Sequence, residues 1–226
     1  MGNKMQPYLA DLEQNNTREW YHAHKAEYKA AAGEFENLIQ LLILEIGKGD
    51  SSILHNIPKE LTFKLVRDTR FSADKSPYNP AFRCHIAPAG KLPVPVGYFL
   101  FIAPGNRSFL GGGLFADLFK DATLRIRDYI YNHEEEFLRI VESPEFAGDF
   151  EVGGSSLKRV PKEYPADSPV ARYLKYKSWY IEYKLDDSYF EDMDGFVEFA
   201  SGKFLKMKPF NDFLNRALEG FVMPAR

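Results

Sequence analysis

Apolar residues along the first fifth of the chain fall at helical spacing. Tyr21, Tyr28, Phe35, Leu38, Leu42 and Ile46 recur at three, four or seven residues, so one face of a helix is predicted over Arg18–Ile46. Asn16 or Thr17 caps its start, and Gly47 and Gly49 stop it. The period then drops to two. Leu61, Phe63 and Leu65 alternate with Thr62, Lys64 and Val66, and Phe82, Cys84 and Ile86 alternate with Arg83 and His85. Tyr98–Ile102 is apolar on both parities, as expected of a central strand. Short links between these segments predict an antiparallel meander. Gly111-Gly112-Gly113 is read as the turn into a second long helix, whose stripe is Phe115, Phe119, Ala122, Ile126, Tyr129, Phe137 and Val141. Pro144 and Gly153-Gly154-Ser155-Ser156 mark a break and a loop, and Asp167 to Lys177 reads as a short helix. Trp179, Ile181, Tyr183 and Leu185 then alternate as a strand. Asp186-Asp187-Ser188 opens a helix to about Lys206, and Pro209 starts a last one. The expected fold is one α+β domain over residues 1–226, a mainly antiparallel sheet packed by long amphipathic helices.

Composition agrees with a packed core. Hydrophobic residues make up 45% and aromatic residues 15% of 226, too apolar for a disordered chain. The charge balance is 29 basic against 32 acidic side chains, a net of -3, which gives no global pull toward nucleic acid or anionic membrane. Cys84 is the sole cysteine, so an intramolecular disulfide and a cysteine-based zinc site are both excluded. Met1 to Glu13 shows no apolar run flanked by basic residues, and Gln6 stands where a myristoylation signal needs Ser or Thr. Leu38–Ile46 and Val94–Ala103 are too short to span a bilayer. A cytoplasmic protein without a membrane segment is expected.

One polar stretch stands apart. Arg67-Asp68-Thr69-Arg70-Phe71-Ser72-Ala73-Asp74-Lys75-Ser76-Pro77-Tyr78 places two arginines, a lysine and two aspartates between two predicted strands. A charge that is neither solvated nor paired costs several kcal/mol, so each must find a partner inside the loop or outside it. In one reading Asp68 and Asp74 pair with Arg67, Arg70 and Lys75 and make the loop a structural clasp. In the other the guanidinium groups grip a carboxylate or phosphate, each charged hydrogen bond contributing about 1.5–3 kcal/mol.

The string RDTRFSADKSPY resembles the hallmark of a widespread microbial family of uncharacterised proteins, grouped as a domain of unknown function. The resemblance extends to Asn15-Asn16-Thr17-Arg18-Glu19-Trp20, Ser108-Phe109-Leu110-Gly111-Gly112-Gly113-Leu114, Leu157-Lys158-Arg159-Val160-Pro161 and Lys208-Pro209-Phe210-Asn211-Asp212-Phe213-Leu214. Asn79 stands where members often carry a basic residue. The family brings no activity with it, but its segments put Lys158, Arg159, Asn211 and Asp212 on one list with Arg67, Asp68, Arg70, Asp74, Lys75 and Tyr78. If these converge, the expected ligand is an anionic small molecule, phosphorylated or carboxylated. Asp68, Asp74 or Asp212 is then the general base or metal ligand of any chemistry, although their spacing demands no metal. The competing expectation is an interaction module without catalysis. Cofactor, oligomeric state and enzymatic character stay open.

Other features weigh less. The histidines His22, His24, His55, His85 and His133 lack metalloprotease spacing, His133 reads as a core residue, and Cys84 reads as a buried hydrophobe. Asp117 after the glycines disfavours an anion there. The acidic residues from Asp186 to Asp194 suit a helix start. From Lys158 to Lys184 seven basic and three acidic residues interleave with Tyr173, Tyr176, Trp179 and Tyr180, a pattern of single-stranded nucleic acid binders. Strand alternation sends half of those rings into the core, so nucleic acid is not the expected partner.

Overall fold

Residues 3–115 and 119–223 are described in the computed structural model, so Asp117 lies outside the described residues. The apolar stripe that opens the chain forms α1 (Met5–Gln14), α2 (Arg18–Ala23) and α3 (Lys25–Ile46). The predicted single helix is therefore broken, at His24, whose φ of -103° and ψ of 31° leave helical space. The His24 ring stacks on Trp20 at 4.1 Å and its Nδ1 lies 2.9 Å from the Trp20 carbonyl oxygen, closing α2. The same arrangement recurs at His133. It separates α5 (Lys120–Asn132) from α6 (Glu134–Val141), with the ring 3.9 Å from that of Tyr129 and Nδ1 3.0 Å from its carbonyl. His133 is exposed, contrary to the core position expected of it.

Leu61–Val66 does not enter the sheet. α4 (Pro58–Leu61) occupies its start, and the remainder makes single bridges, Thr62 to Cys84 and Val66 to Tyr78. Proline at the first turn of α4 and the buried Leu61 and Leu65 favour a short helix followed by extended chain over a regular strand. The sheet consists of β1 (Phe82–Ile86), β2 (Tyr98–Ile102), β3 (Ser108–Leu114) and β4 (Trp179–Leu185), antiparallel throughout and in that order. α5, α6, α7 (Pro144–Ala147) and α8 (Ala171–Leu174) are inserted between β3 and β4.

The three glycines belong to β3 itself and not to a turn, which corrects the expectation. Gly113 has φ +88°, and a Cβ there would stand 2.4 Å from the Trp179 carbonyl oxygen. A Cβ on Gly112 would press on the Asn211 amide at 3.0 Å and the Met207 sulfur at 3.2 Å, so backbone without side chains is what lets the last helix approach. Phe115 correspondingly leaves the predicted helical stripe. Its ring folds back over Gly111 and stacks on Tyr180 at 4.8 Å.

That last helix, α9 (Met193–Ala217), is continuous, where two helices were expected. Asp192 caps it by accepting from Gly195 N, while Asp187–Phe190 forms a separate 3-10 turn. Pro209 sits inside α9 on its exposed side. The cost of the missing N–H is about 3 kcal/mol. Phe204, Met207, Phe210, Phe213 and Leu214 are fully buried and together offset it, at roughly 1.5–3 kcal/mol per large apolar side chain. α3 and α9 cover one face of the sheet. No helix among the described residues is long and apolar enough to cross a membrane.

Candidate functional site

The hallmark segment folds as the tip of an irregular hairpin. Leu65 and Tyr78 anchor its two legs in the core. Between them Asn79 N donates to Leu65 O at 2.7 Å, and Arg67 N to Pro77 O at 2.9 Å. Above these rungs the side chains satisfy one another. Arg67 pairs with Asp74 and donates to Ser72 Oγ at 3.3 Å. Arg70 embraces Asp68 with Nε at 2.9 Å and Nη2 at 2.6 Å, and Asp68 also accepts from Arg70 N at 3.2 Å. Lys75 Nζ donates to Thr69 O at 3.0 Å, and Asp74 accepts from Ser76 N at 2.9 Å. The Arg67 guanidinium and Ser76 hold the Asp74 carboxyl below the usual carboxylate range, and Arg70 does the same to Asp68. Exposed pairs of this kind add little stability but give the loop one shape.

Two segments distant in sequence meet here. The Asn16 side chain donates to Tyr78 O at 3.0 Å and accepts from Tyr78 N at 3.1 Å, completing a missing backbone rung. Tyr21 stacks on Tyr78 at 4.3 Å, and behind it Tyr8, Trp20 and Tyr28 pack toward Phe82. Burial pushes the Tyr21 hydroxyl up to about 12 and raises that of Tyr8, whose oxygen is buried without a hydrogen-bond partner among the described residues. A hollow of about 360 Å³ opens between α2 and the hairpin, bordered by Asn16, Arg18, Glu19, Arg67, Thr69 and Lys75. Arg18 has no hydrogen-bond or ion-pair partner among the described residues. At the apex Phe71 is 96% exposed and Val66, on the leg, 62%.

The expected site residues fall into three places. Arg67, Asp68, Arg70, Asp74, Lys75 and Tyr78 share the hairpin beside β1. Lys158 and Arg159 are exposed in the loop after the Ser156–Tyr176 bridge, beside β4 at the opposite edge of the sheet. Asn211 lies in the core, 3% exposed, donating to Gly97 O at 3.1 Å and accepting from Gly113 N at 2.8 Å. Its amide fastens β2 and β3 to α9. Asp212 pairs with Lys208 at 2.7 Å on the same helix. The residues that complete the hairpin's surroundings, Asn16, Arg18 and Tyr21, were absent from the expected list. The signal for Asn16 and Arg18 was the Asn15–Trp20 string, which shares the family resemblance with the hallmark, while Tyr21 just beyond it was read only as part of a helical stripe.

The cysteine and the histidine of β1 are both buried. Burial pushes the Cys84 thiol up to about 12 and holds the His85 imidazole down at about 4. Among the described residues no group of three or more His, Cys, Asp or Glu stands together to hold a metal ion.

Residues 4–213 match the model of the conserved hypothetical protein family DUF2461, and the chain belongs to that family. No curated protein and no solved structure matches the chain.

Proposed function

We propose that this family member is an interaction module whose hallmark hairpin is a rigid knob presented to another protein. The observation that carries the reading is the pairing of Arg67 and Arg70 with the hairpin's own Asp74 and Asp68, which leaves Phe71 as the element directed outward. A phenylalanine exposed by 96% on a loop with eight side-chain hydrogen bonds of its own is held ready for burial, at little ordering cost on binding. The partner that fits is a protein with an apolar pocket and a polar rim, facing Phe71 at the centre and the Asp68–Arg70 pair at the edge.

The test is a photo-crosslinking amino acid at position 71, compared with one at Leu44, which is 51% exposed on α3. A discrete adduct from position 71 in the native cell, absent from position 44 and lost when Asp68 and Asp74 are both changed to Ala, supports the knob. Equal labelling from both positions refutes it.

A second reading has its own observation. Among the described residues Arg18 is unpartnered and Lys75 meets only a carbonyl, so the hollow between them keeps two cations without a carboxylate bound to either. An anionic small molecule bridging Arg18 and Lys75 is then the ligand, with Thr17 and Thr69 at its margins. A thermal-shift panel of phosphorylated and carboxylated metabolites separates the readings. A compound that stabilises the wild type but not Arg18→Ala or Lys75→Ala supports the anion site.

A further inference from the structure

The face of the sheet turned away from α9 carries a second feature, independent of the hairpin. Registered across the four strands, Arg83 pairs with Phe101, Phe101 with Phe109, and Phe109 with Lys184. One row therefore reads Arg, Phe, Phe, Lys, with a basic residue at either end and no acid between. The rings of Phe101 and Phe109 run parallel at 5.0 Å and both are part-exposed. Phe99 lies 6.0 Å from Phe109, and Phe115, stacked on Tyr180, extends the aromatic layer along the sheet. Soluble proteins seldom leave so many contiguous aromatic side chains in reach of water without a use for them.

Arg83 supplies the second observation. Its guanidinium lies 5.7 Å from the centre of the Phe63 ring and donates through Nη2 to Lys64 O at 3.1 Å. Its Nε is buried without a partner, and no carboxylate pairs with it among the described residues. A half-buried cation without a counter-ion calls for an anion from outside. Among the described strand residues the acid on this face is Glu182, in the neighbouring row opposite Gly111. Burial raises its carboxyl above the usual range, with Lys184 pulling the other way.

We propose that this face binds single-stranded nucleic acid, with bases stacking on Phe101 and Phe109 and the flanking phosphates meeting Arg83 and Lys184. The four strands span roughly 14 Å at about 4.8 Å per step, room for two or three unstacked bases on an aromatic-bearing sheet. Charge disfavours the simplest rival. Two copies packed through this row bring cation onto cation, because both ends of it are basic. The Tyr180 and Lys184 of the basic, aromatic segment thus join residues from three other strands, a combination that β4 alone does not reveal.

Fluorescence anisotropy of labelled ten-residue oligo(dT) and oligo(rU), titrated with the full chain, tests the proposal. Saturable binding is expected, with a slope of log K on log salt of about -1.4 for two phosphate contacts. Phe109→Ser should weaken binding about 5- to 150-fold, the range for one stacked base. Lys184→Ala, at an exposed position that leaves the fold intact, should reduce the slope by about 0.7. Melting temperature of each variant separates lost binding from lost folding. Three outcomes overturn the proposal. One is no saturable signal up to about 100 μM protein. Another is binding that neither Phe109→Ser nor Lys184→Ala alters, and the third is equal affinity for a duplex of the same length.

Discussion

The two faces of the sheet are built from the same four strands and solve opposite problems. On the α9 side two amide side chains of that helix meet the backbone beside β2 and β3. Asn211 takes Gly97 O and Gly113 N, Asn215 takes Val96 N at 2.8 Å and Val96 O at 3.0 Å, and Leu110 and Leu114 are sealed. On the other side aromatic rings stack on one another in partial contact with water, and Arg83 keeps an unsatisfied nitrogen. Alternation of side chains along a strand makes this division possible, since residues one apart face opposite ways. The difference teaches that one face is specified by packing, while the other leaves aromatic rings and a cation in reach of solvent, the surface on which the nucleic-acid proposal rests.

The sharpest way to break the packed face is Gly113→Ala. A Cβ at φ +88° and 2.4 Å from the Trp179 carbonyl oxygen combines strain with overlap, for an expected loss of about 4 kcal/mol in urea denaturation. An unchanged midpoint refutes the close approach of β4. Next comes a matched pair on one strand. Leu110→Ala, fully buried, should cost about 3 kcal/mol, and Phe109→Ala, its part-exposed neighbour, about 1 kcal/mol. Equal losses remove the distinction between the faces.

His85 marks where the outer face is closed, 7% exposed beneath the backbone of Lys91 and Leu92. Its imidazole takes a proton near pH 6.5 when unfolded and only at about 4 when folded. The unfolded chain thus binds more protons in between. The contribution is complete above pH 6.5 and is lost as pH falls toward 4, by roughly 3 kcal/mol. Denaturation midpoints of wild type and His85→Phe across that window should diverge, and parallel curves refute the buried neutral ring. The smallest expected effect is at the hairpin. Asp68→Asn should leave the melting temperature unchanged while amide exchange accelerates over residues 69–73, because the Asp68–Arg70 pair shapes an exposed tip and supports no core. A lowered melting temperature gives the pair a structural role instead.

Periodicity made β1, β2, β4 and the apolar faces of α3 and α5 legible, because burial of one face imposes a regular pattern. It failed where tertiary contacts override local preference. Pro209 reads as a helix start but is carried within α9 by buried neighbours on the opposite side. The glycines of β3 read as a turn, since the helix that needs their missing side chains lies nearly a hundred residues on, at Asn211. His24 and His133 end helices by a ring stacked on residue i−4, a device that apolar spacing does not register. For the candidate site, the hairpin and its charges were legible. Which aspartate takes which arginine was not, because pairing depends on which way each side chain turns. The separation of Lys158 and Asn211 from it depends on topology.

The long return from β3 to β4 bears on how the protein is made. While residues 115–178 emerge from the ribosome, at about 5–20 residues per second, the free edge of β3 waits for several seconds. An unpaired edge is ordinarily an invitation to aggregation. Three consecutive glycines offer no side chains for interdigitating fibril layers, so the bare backbone that admits α9 also protects the nascent chain during that interval.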